Sequence, residues 1–265
     1  PLWPVLLGLA LLLLRVRLAE SGLFEGAAGE AKSRGNFLML FTNAGRFGRY
    51  VGSIAMAARK LANADASTLA IVGAGRLART AAEYYARLFN LKEIRVASRT
   101  ASKREQVVAE LAARLGLPVR SVGSIEEAVR GADLVLTATS ATEALLDESW
   151  IQPGCVVACV GTAEPGRELL EQADLFVVDN RDQLRKELIA EYGEGSPDWI
   201  DATVLEIVTG RHPGRVNRDQ RAVLVTEGIA SQDVALAYLA YQRAREEGVG
   251  LALPIGAAAP PLAQP

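Results

Sequence analysis

The stretch Thr68-Leu-Ala-Ile-Val-Gly-Ala-Gly-Arg-Leu-Ala78 decides the fold. Four apolar residues, Leu69 to Val72, read as a strand buried on both faces. Gly73, Gly75 and Ala78 then stand at the spacing of a dinucleotide fingerprint, and a helical pattern follows. Gly73 lets the chain turn out of the strand. Gly75 has no side chain to keep a pyrophosphate from the backbone, and Ala78 lets the helix pack close to the sheet. The first-turn N–H groups and the helix dipole then face the phosphates.

Working outward, the pattern repeats. Lys92 to Ala97, Val119 to Val122, Asp133 to Thr139, Cys155 to Gly161, Leu175 to Asp179 and Val223 to Val225 read as further strands. Helical patterns lie between them: Thr80 to Leu91, Lys103 to Leu115, a short helix opened by the capping box Ser124-Ile-Glu-Glu127, and Arg181 to Tyr192. Strands alternating with helices predict an α/β, Rossmann-type, doubly wound parallel sheet. Before the fingerprint, Phe37 to Phe41 reads as a short strand and Asn43 to Gly48 as a turn. Arg49 to Ala62 reads as a helix. The segment to Arg221 is mixed and loop-rich, Ser231 to Glu247 is a long amphipathic helix, and Ala257 to Pro265 reads as a disordered tail.

Composition narrows the function. Of 265 residues, half are apolar and the net charge is −2, which argues against a polybasic surface for nucleic acid or anionic lipid. The run Val5 to Leu14 is ten residues long, short of the roughly 20 needed to span a bilayer. No membrane attachment is expected, and a cytoplasmic location fits. Cys155 and Cys159 share one strand face about 13 Å apart by the strand rise, so they read as buried thiols. A single histidine, His212, in a turn-like segment, rules out a multi-histidine metal site, and no metal is expected.

The strand ends carry the candidate site. After the second strand comes Ser98-Arg-Thr100 instead of the carboxylate that would bind the free ribose hydroxyl of NAD. Ser98, Arg99 and Thr100 offer donors and a cation suited to a 2′-phosphate, so NADP(H) is favoured over NAD(H). The alternative is that they cap the next helix. Thr139 and Ser140, at the end of the fourth strand, are expected beside the nicotinamide half.

The chain resembles the ornithine cyclodeaminase/mu-crystallin family from about Arg49 to Leu253. The pieces are Ile71-Val-Gly-Ala-Gly75, Val96-Ala-Ser-Arg-Thr100, Thr137-Ala-Thr-Ser140, Gln152-Pro-Gly154, Val160-Gly161, Pro165-Gly166, Val177-Val-Asp179 and Gly228-Ile-Ala-Ser-Gln-Asp-Val234. Their order and spacing together carry the likeness. The resemblance implies a Rossmann domain in mid-chain (63–222) and a smaller α+β domain from both termini (1–62 and 223–256, ahead of the tail 257–265). That second domain would bind substrate and support a homodimer. The implied chemistry is NAD(P)-dependent hydride transfer at the carbon–nitrogen centre of an amino or imino acid, as in ketimine reductases, amino-acid dehydrogenases and cyclodeaminases.

The resemblance also implies roles. Arg76 and Leu77 would touch the pyrophosphate and Ser98 the adenosine ribose. Thr139, Val160, Gly161 and Thr162 would pass the nicotinamide, with Arg167 and Thr226 also near the cofactor. Arg49 would grip the substrate carboxylate through a bidentate guanidinium. Ala163 stands where cyclodeaminases have an acid/base aspartate, and residues 1 to 45 do not match the family pattern. A general acid is still needed. Glu164, or a water held by Thr162, is the candidate. The alternative is a non-catalytic NADP(H)-binding protein of mu-crystallin type with a degenerate active site. A short-chain or shikimate-type dehydrogenase lacks its Tyr-x-x-x-Lys or lysine–aspartate pair here.

Overall fold

The computed structural model describes residues 43–193, 199–228 and 230–250. A compact unit spans Arg46–Ile229. In it, eight parallel strands form one sheet: β1 (Thr68–Val72), β2 (Glu93–Ala97), β3 (Val119–Ser121), β4 (Leu134–Thr137), β5 (Val156–Cys159), β6 (Leu175–Val178), β7 (Ala202–Thr203) and β8 (Ala222–Val225). Their spatial order is β3-β2-β1-β4-β5-β8-β6-β7. The α/β doubly wound architecture expected from the alternation is present.

Seven helices belong to the sheet's chain path: α1 (Asn43–Leu61), α2 (Arg76–Leu88), α3 (Ala101–Leu115), α4 (Ile125–Val129), α5 (Arg167–Glu171), α6 (Arg181–Tyr192) and α7 (Val204–Val208). The strand period of two sorts their side chains onto opposite faces. Leu69, Ile71, Leu134, Leu136, Val156, Ala158, Ala222 and Leu224 pack with Ile54, Leu61, Tyr85, Val107 and Leu111 of α1, α2 and α3. Their alternates, including Ala70, Val72, Val157, Cys159, Val223 and Val225, pack with Val129, Leu170, Leu184 and Leu188 of α4, α5 and α6. Full burial on both faces explains why these strands read as continuous apolar runs. The edge strands β3 and β7 are only three and two residues long, which leaves little unpaired backbone.

Two expectations change. Residues from Asn43 are already helical, so the turn read at Asn43 to Gly48 is the first part of α1. The loop-rich segment holds β7 and α7, the latter opened by a capping box of Thr203 and Glu206. The last strand among the described residues, β8, is internal, between β5 and β6. The strand read at Phe37 to Phe41, the apolar run Val5 to Leu14 and the tail lie outside the described residues. A final helix, α8 (Ala230–Glu246), belongs to a second unit. Among the described residues, no helix is long and apolar enough to cross a membrane. Cys155 and Cys159 are free and fully buried, and burial pushes both thiols up, Cys155 to about 12.

Candidate functional site

Strand register defines where the site is. Val72 of β1 pairs with Thr137 of β4, Thr137 with Cys159 of β5, Cys159 with Val225 of β8, and Val225 with Val178 of β6. These five residues form one row across the sheet. The residues just beyond it, Gly73, Thr139, Gly161, Glu227 and Asp179, are a row of strand carboxyl ends. Ligands of open α/β sheets bind outside this edge, at the point where strand order reverses. That point is the β1–β4 junction.

The fingerprint is built as its sequence requires. Gly73 has φ +123°, and a Cβ there would stand 2.4 Å from the Ala138 carbonyl oxygen. Only glycine fits that turn. Gly75 faces open space, with no atom within 4 Å of where its Cβ would be. It is the N-cap of α2 and makes no side-chain cap bond, so the first-turn N–H groups lack a side-chain partner at the cap. An uncapped 13-residue helix behind an open glycine fits a pyrophosphate. Ala78 is fully buried against the sheet. Arg79, which sequence reasoning passed over, braces the loop from behind. Its Nη1 donates to the carbonyls of Ala74 (3.2 Å) and Gly75 (3.3 Å), and its Nε to Glu110 (2.8 Å). Arg76 is exposed and Leu77 half-buried in the first turn of α2.

At the end of β2, Arg99 and Thr100 are exposed. Thr100 is the N-cap of α3 but makes no side-chain cap bond. Arg104 ties the segment down, donating to the Ser98 carbonyl at 2.7 Å and to the Ser121 hydroxyl at 2.7 Å.

At the ends of β4 and β5 the centrepiece is Glu164, only 1% exposed. Its Oε1 accepts from the Thr139 backbone N–H (2.8 Å) and hydroxyl (2.6 Å). Its Oε2 accepts from the Thr137 hydroxyl (2.7 Å) and from the backbone N–H groups of Val160 and Gly161, both at 3.1 Å. Five neutral donors thus hold one buried carboxylate, and it ties β4 to β5. The loop turns back because Pro165-Gly166 follows. Gly166, at φ +76°, donates its N–H to the Ala163 carbonyl at 3.3 Å. Thr162 receives the Tyr192 hydroxyl on its carbonyl at 3.2 Å. Arg167 lies over the Trp199 ring, 5.5 Å from its centroid, and pairs with Glu171 at 2.8 Å. Ser140 is exposed just beyond Thr139.

A second carboxylate group gathers at β6 and β8. Asp179 accepts from the backbone N–H groups of Glu227 (3.1 Å) and Gly228 (2.6 Å), fastening the end of β8 to that of β6. Glu227 is pushed up to about 7, first by burial and then by Glu187 of α6, with Asp179 and Glu164 adding to the effect. Thr226, nearly buried, donates its backbone N–H to the Cys159 carbonyl at 3.1 Å. Sequence reasoning missed Glu227. Its signal was its place directly after an apolar strand, two residues past the last buried valine.

Arg49 lies within α1, and its side chain is outside the described ones. His212 accepts on Nδ1 from the Gly214 N–H at 3.1 Å, a local turn. Among the described residues no group of His, Cys, Asp or Glu is placed to hold a metal. A polar hollow of about 430 Å³ lies at the opposite, amino end of the strands, lined by Asn63, Asp65, Asp133 and Arg218 among others. Several of its charges already have partners: Arg218 pairs with Asp65, and Asp133 accepts from the Ser67 and Thr68 N–H groups.

Comparison with known proteins agrees with this geometry. The chain is 32% identical over 192 residues to the ketimine reductase mu-crystallin of Mus musculus, covering 71% of this chain and 58% of that one. It is 29% identical over 205 residues to a delta(1)-pyrroline-2-carboxylate reductase of Bacillus cereus, covering 74% and 63%. The chain thus spans less than two thirds of these relatives' length. The structure of the Thermococcus litoralis delta(1)-pyrroline-2-carboxylate reductase in complex with NADH and L-proline superposes with a TM-score of 0.72. The two are 28% identical, over 77% of this chain and 66% of that one. A family model described as the ornithine cyclodeaminase/mu-crystallin family matches residues 48–248. Fold, strand-end row and these matches agree: the chain belongs to the ornithine cyclodeaminase/mu-crystallin family.

Proposed function

We propose that the chain is an NAD(P)-dependent oxidoreductase that transfers hydride at the carbon–nitrogen centre of a small amino or imino acid, with NADP(H) preferred. One observation carries the reading: the open Gly75 and the uncapped start of α2 stand at the carboxyl ends of the strands, at the point where strand order reverses. A bound dihydronicotinamide would supply the hydride, and the remaining work falls to the chain's own residues. Gly73, Gly75, Arg76 and Leu77 receive the pyrophosphate. Ser98, Arg99 and Thr100 receive the adenosine ribose and its phosphate. Thr139, Ser140, Val160, Gly161, Arg167 and Thr226 border the nicotinamide half. Arg49 holds the substrate carboxylate, and a second domain built from both termini supports a cytoplasmic homodimer.

Orientation of the reacting carbons supplies much of the rate. The nitrogen also needs a proton donor near neutrality. Both oxygens of Glu164 are engaged by donors, so we assign it to holding the β4 and β5 ends, while Thr162 can hold a water. Glu227 suits the proton exchange, because it holds a proton up to about pH 7.

Support for the substrate class comes from relatives that reduce ketimines or pyrroline-2-carboxylate. The Thermococcus relative was captured with NADH, so cofactor choice needs its own test. Calorimetry should show NADPH binding more tightly than NADH, and Arg99→Ala should remove about tenfold of the difference, the size of one charge-assisted contact. Oxidation of NADPH by a cyclic ketimine, such as pyrroline-2-carboxylate, is the expected activity. A second reading, a non-catalytic NADP(H)-binding protein, is favoured by Ala163 standing where an acid would be. It requires NADPH binding with no turnover across a ketimine panel.

A further inference from the structure

Glu164 does more than fasten two strands. A buried ion is usually matched by an opposite charge. Here all five donors are neutral: two hydroxyls and three backbone N–H groups. Among the described residues no lysine, arginine or histidine pairs with this carboxylate. Arg167, nearest in sequence, is turned to Trp199 and Glu171. Asp179 and Glu227, at the ends of β6 and β8, and Glu187 of α6 are acids as well. Among the described residues, Glu164 is therefore met by dipoles and by no cation. It lies on the β4–β5–β8 side of the switch point. Because the fingerprint at β1 takes the pyrophosphate, that side faces the nicotinamide half of a bound dinucleotide.

We propose that Glu164 is a positioning residue for charge on the cofactor: its carboxylate, held by five neutral donors between the ends of β4 and β5, favours the oxidised, positively charged nicotinamide over the reduced, neutral one. The proposal rests on the dinucleotide reading above and deepens it by giving the site a direction. A bound reduced nicotinamide would supply hydride, two electrons and one hydrogen nucleus, from C4 to the carbon of a protonated C=N group. The C=N π electrons become the nitrogen lone pair. One positive charge disappears from the substrate and one appears on the ring. Total charge is conserved, so what matters is which location the protein stabilises. A fixed anion on the ring side favours reduction of the imine, and its donors need no reorganisation as the charge moves.

The test compares oxidised with reduced cofactor, using NADP+ and NADPH, by calorimetry on the full chain. In Glu164→Gln the carboxamide keeps the oxygen that faces Thr137, Val160 and Gly161 and loses the charge. The ratio of dissociation constants, oxidised over reduced, is expected to rise about tenfold, equivalent to about 30 mV for a two-electron couple. Thr137→Val keeps the side-chain shape, removes one O–H dipole from the carboxylate and leaves the charge less screened. It is expected to move the ratio the other way, by about twofold. It also provides the answer if Glu164→Gln does not fold. A merely structural role would weaken both forms alike, so an unmoved ratio in a folded variant overturns the proposal while leaving the cofactor reading intact. Failure of the unsubstituted chain to bind either form overturns both.

Discussion

Gly73 and Gly75 are two residues apart and do opposite work. At Gly73 the backbone itself forbids a side chain, through φ +123° and a 2.4 Å approach to Ala138. Gly73→Ala should cost about 2–4 kcal/mol of stability, read as a fall in the urea midpoint. Gly75 is surrounded by space, with unstrained extended backbone. Gly75→Ser should leave the midpoint unchanged or slightly raised, because a serine hydroxyl can cap α2. The same hydroxyl then occupies the donors a phosphate needs, and dinucleotide affinity should drop at least about tenfold, the equivalent of one lost charge-assisted bond. Glu227 gives a pH signature. Its folded value, about 7, lies above the ordinary 4.5, so the folded state holds more proton between those values. Stability should fall as pH rises from about 4.5 to about 7 and level off above. Glu227→Gln should flatten this slope in thermal melts and gain about 1 kcal/mol at pH 8, a value discounted for its half-exposed site. The two glycines were readable from the sequence because their spacing encodes a local turn. The five contacts of Glu164 were not, since they depend on a loop turning back across two strand ends that are far apart in the chain.

Between elements, single carboxylates act as ties. Asp179 is the clearest, joining the end of β6 to the backbone beyond β8. Asp179→Ala leaves the N–H groups of Glu227 and Gly228 without that acceptor, at a cost of about 2 kcal/mol. Native-state hydrogen exchange should show faster exchange at the β8 end and little change in β1 or β2, which lie on the other side of the switch point. Strands β1, β4, β5, β6 and β8 were legible because burial on both faces leaves apolar runs, and β2 because Ile94 and Val96 alternate with the charged Glu93 and Arg95. β7 was not: its two residues, Ala202 and Thr203, are too few to show a period. The start of α1 was misread because Asn43, Gly45 and Gly48 carry turn propensity that the helix overrides. The Ser124 cap was legible as a local signal, and its hydroxyl accepts from Glu127 N–H at 3.0 Å.

For the whole molecule, cofactor binding and folding are linked. A dinucleotide that engages only the assembled edge should stabilise the chain by about 2.7 kcal/mol at a hundredfold excess over its dissociation constant. For a body of this size that is a rise of roughly 5–10 °C in melting temperature, and NADPH should give the larger shift over NADH at equal concentration. Strand direction followed from the alternation of elements, but strand order did not, and the two-residue β7 escaped it. Nothing local in Ala222 to Val225 marks it as a central strand. Its place between β5 and β6 also sets the order of events at the ribosome. Domains assemble as they emerge, and unpaired strand edges invite misassembly while they wait. Until β8 emerges, β5 and β6 have no partner on their facing sides, so a chain paused before Ala222 carries two open edges in the middle of the future sheet. Synthesis of the last internal strand, more than formation of the cofactor turn, therefore decides when the nascent protein stops being vulnerable to aggregation.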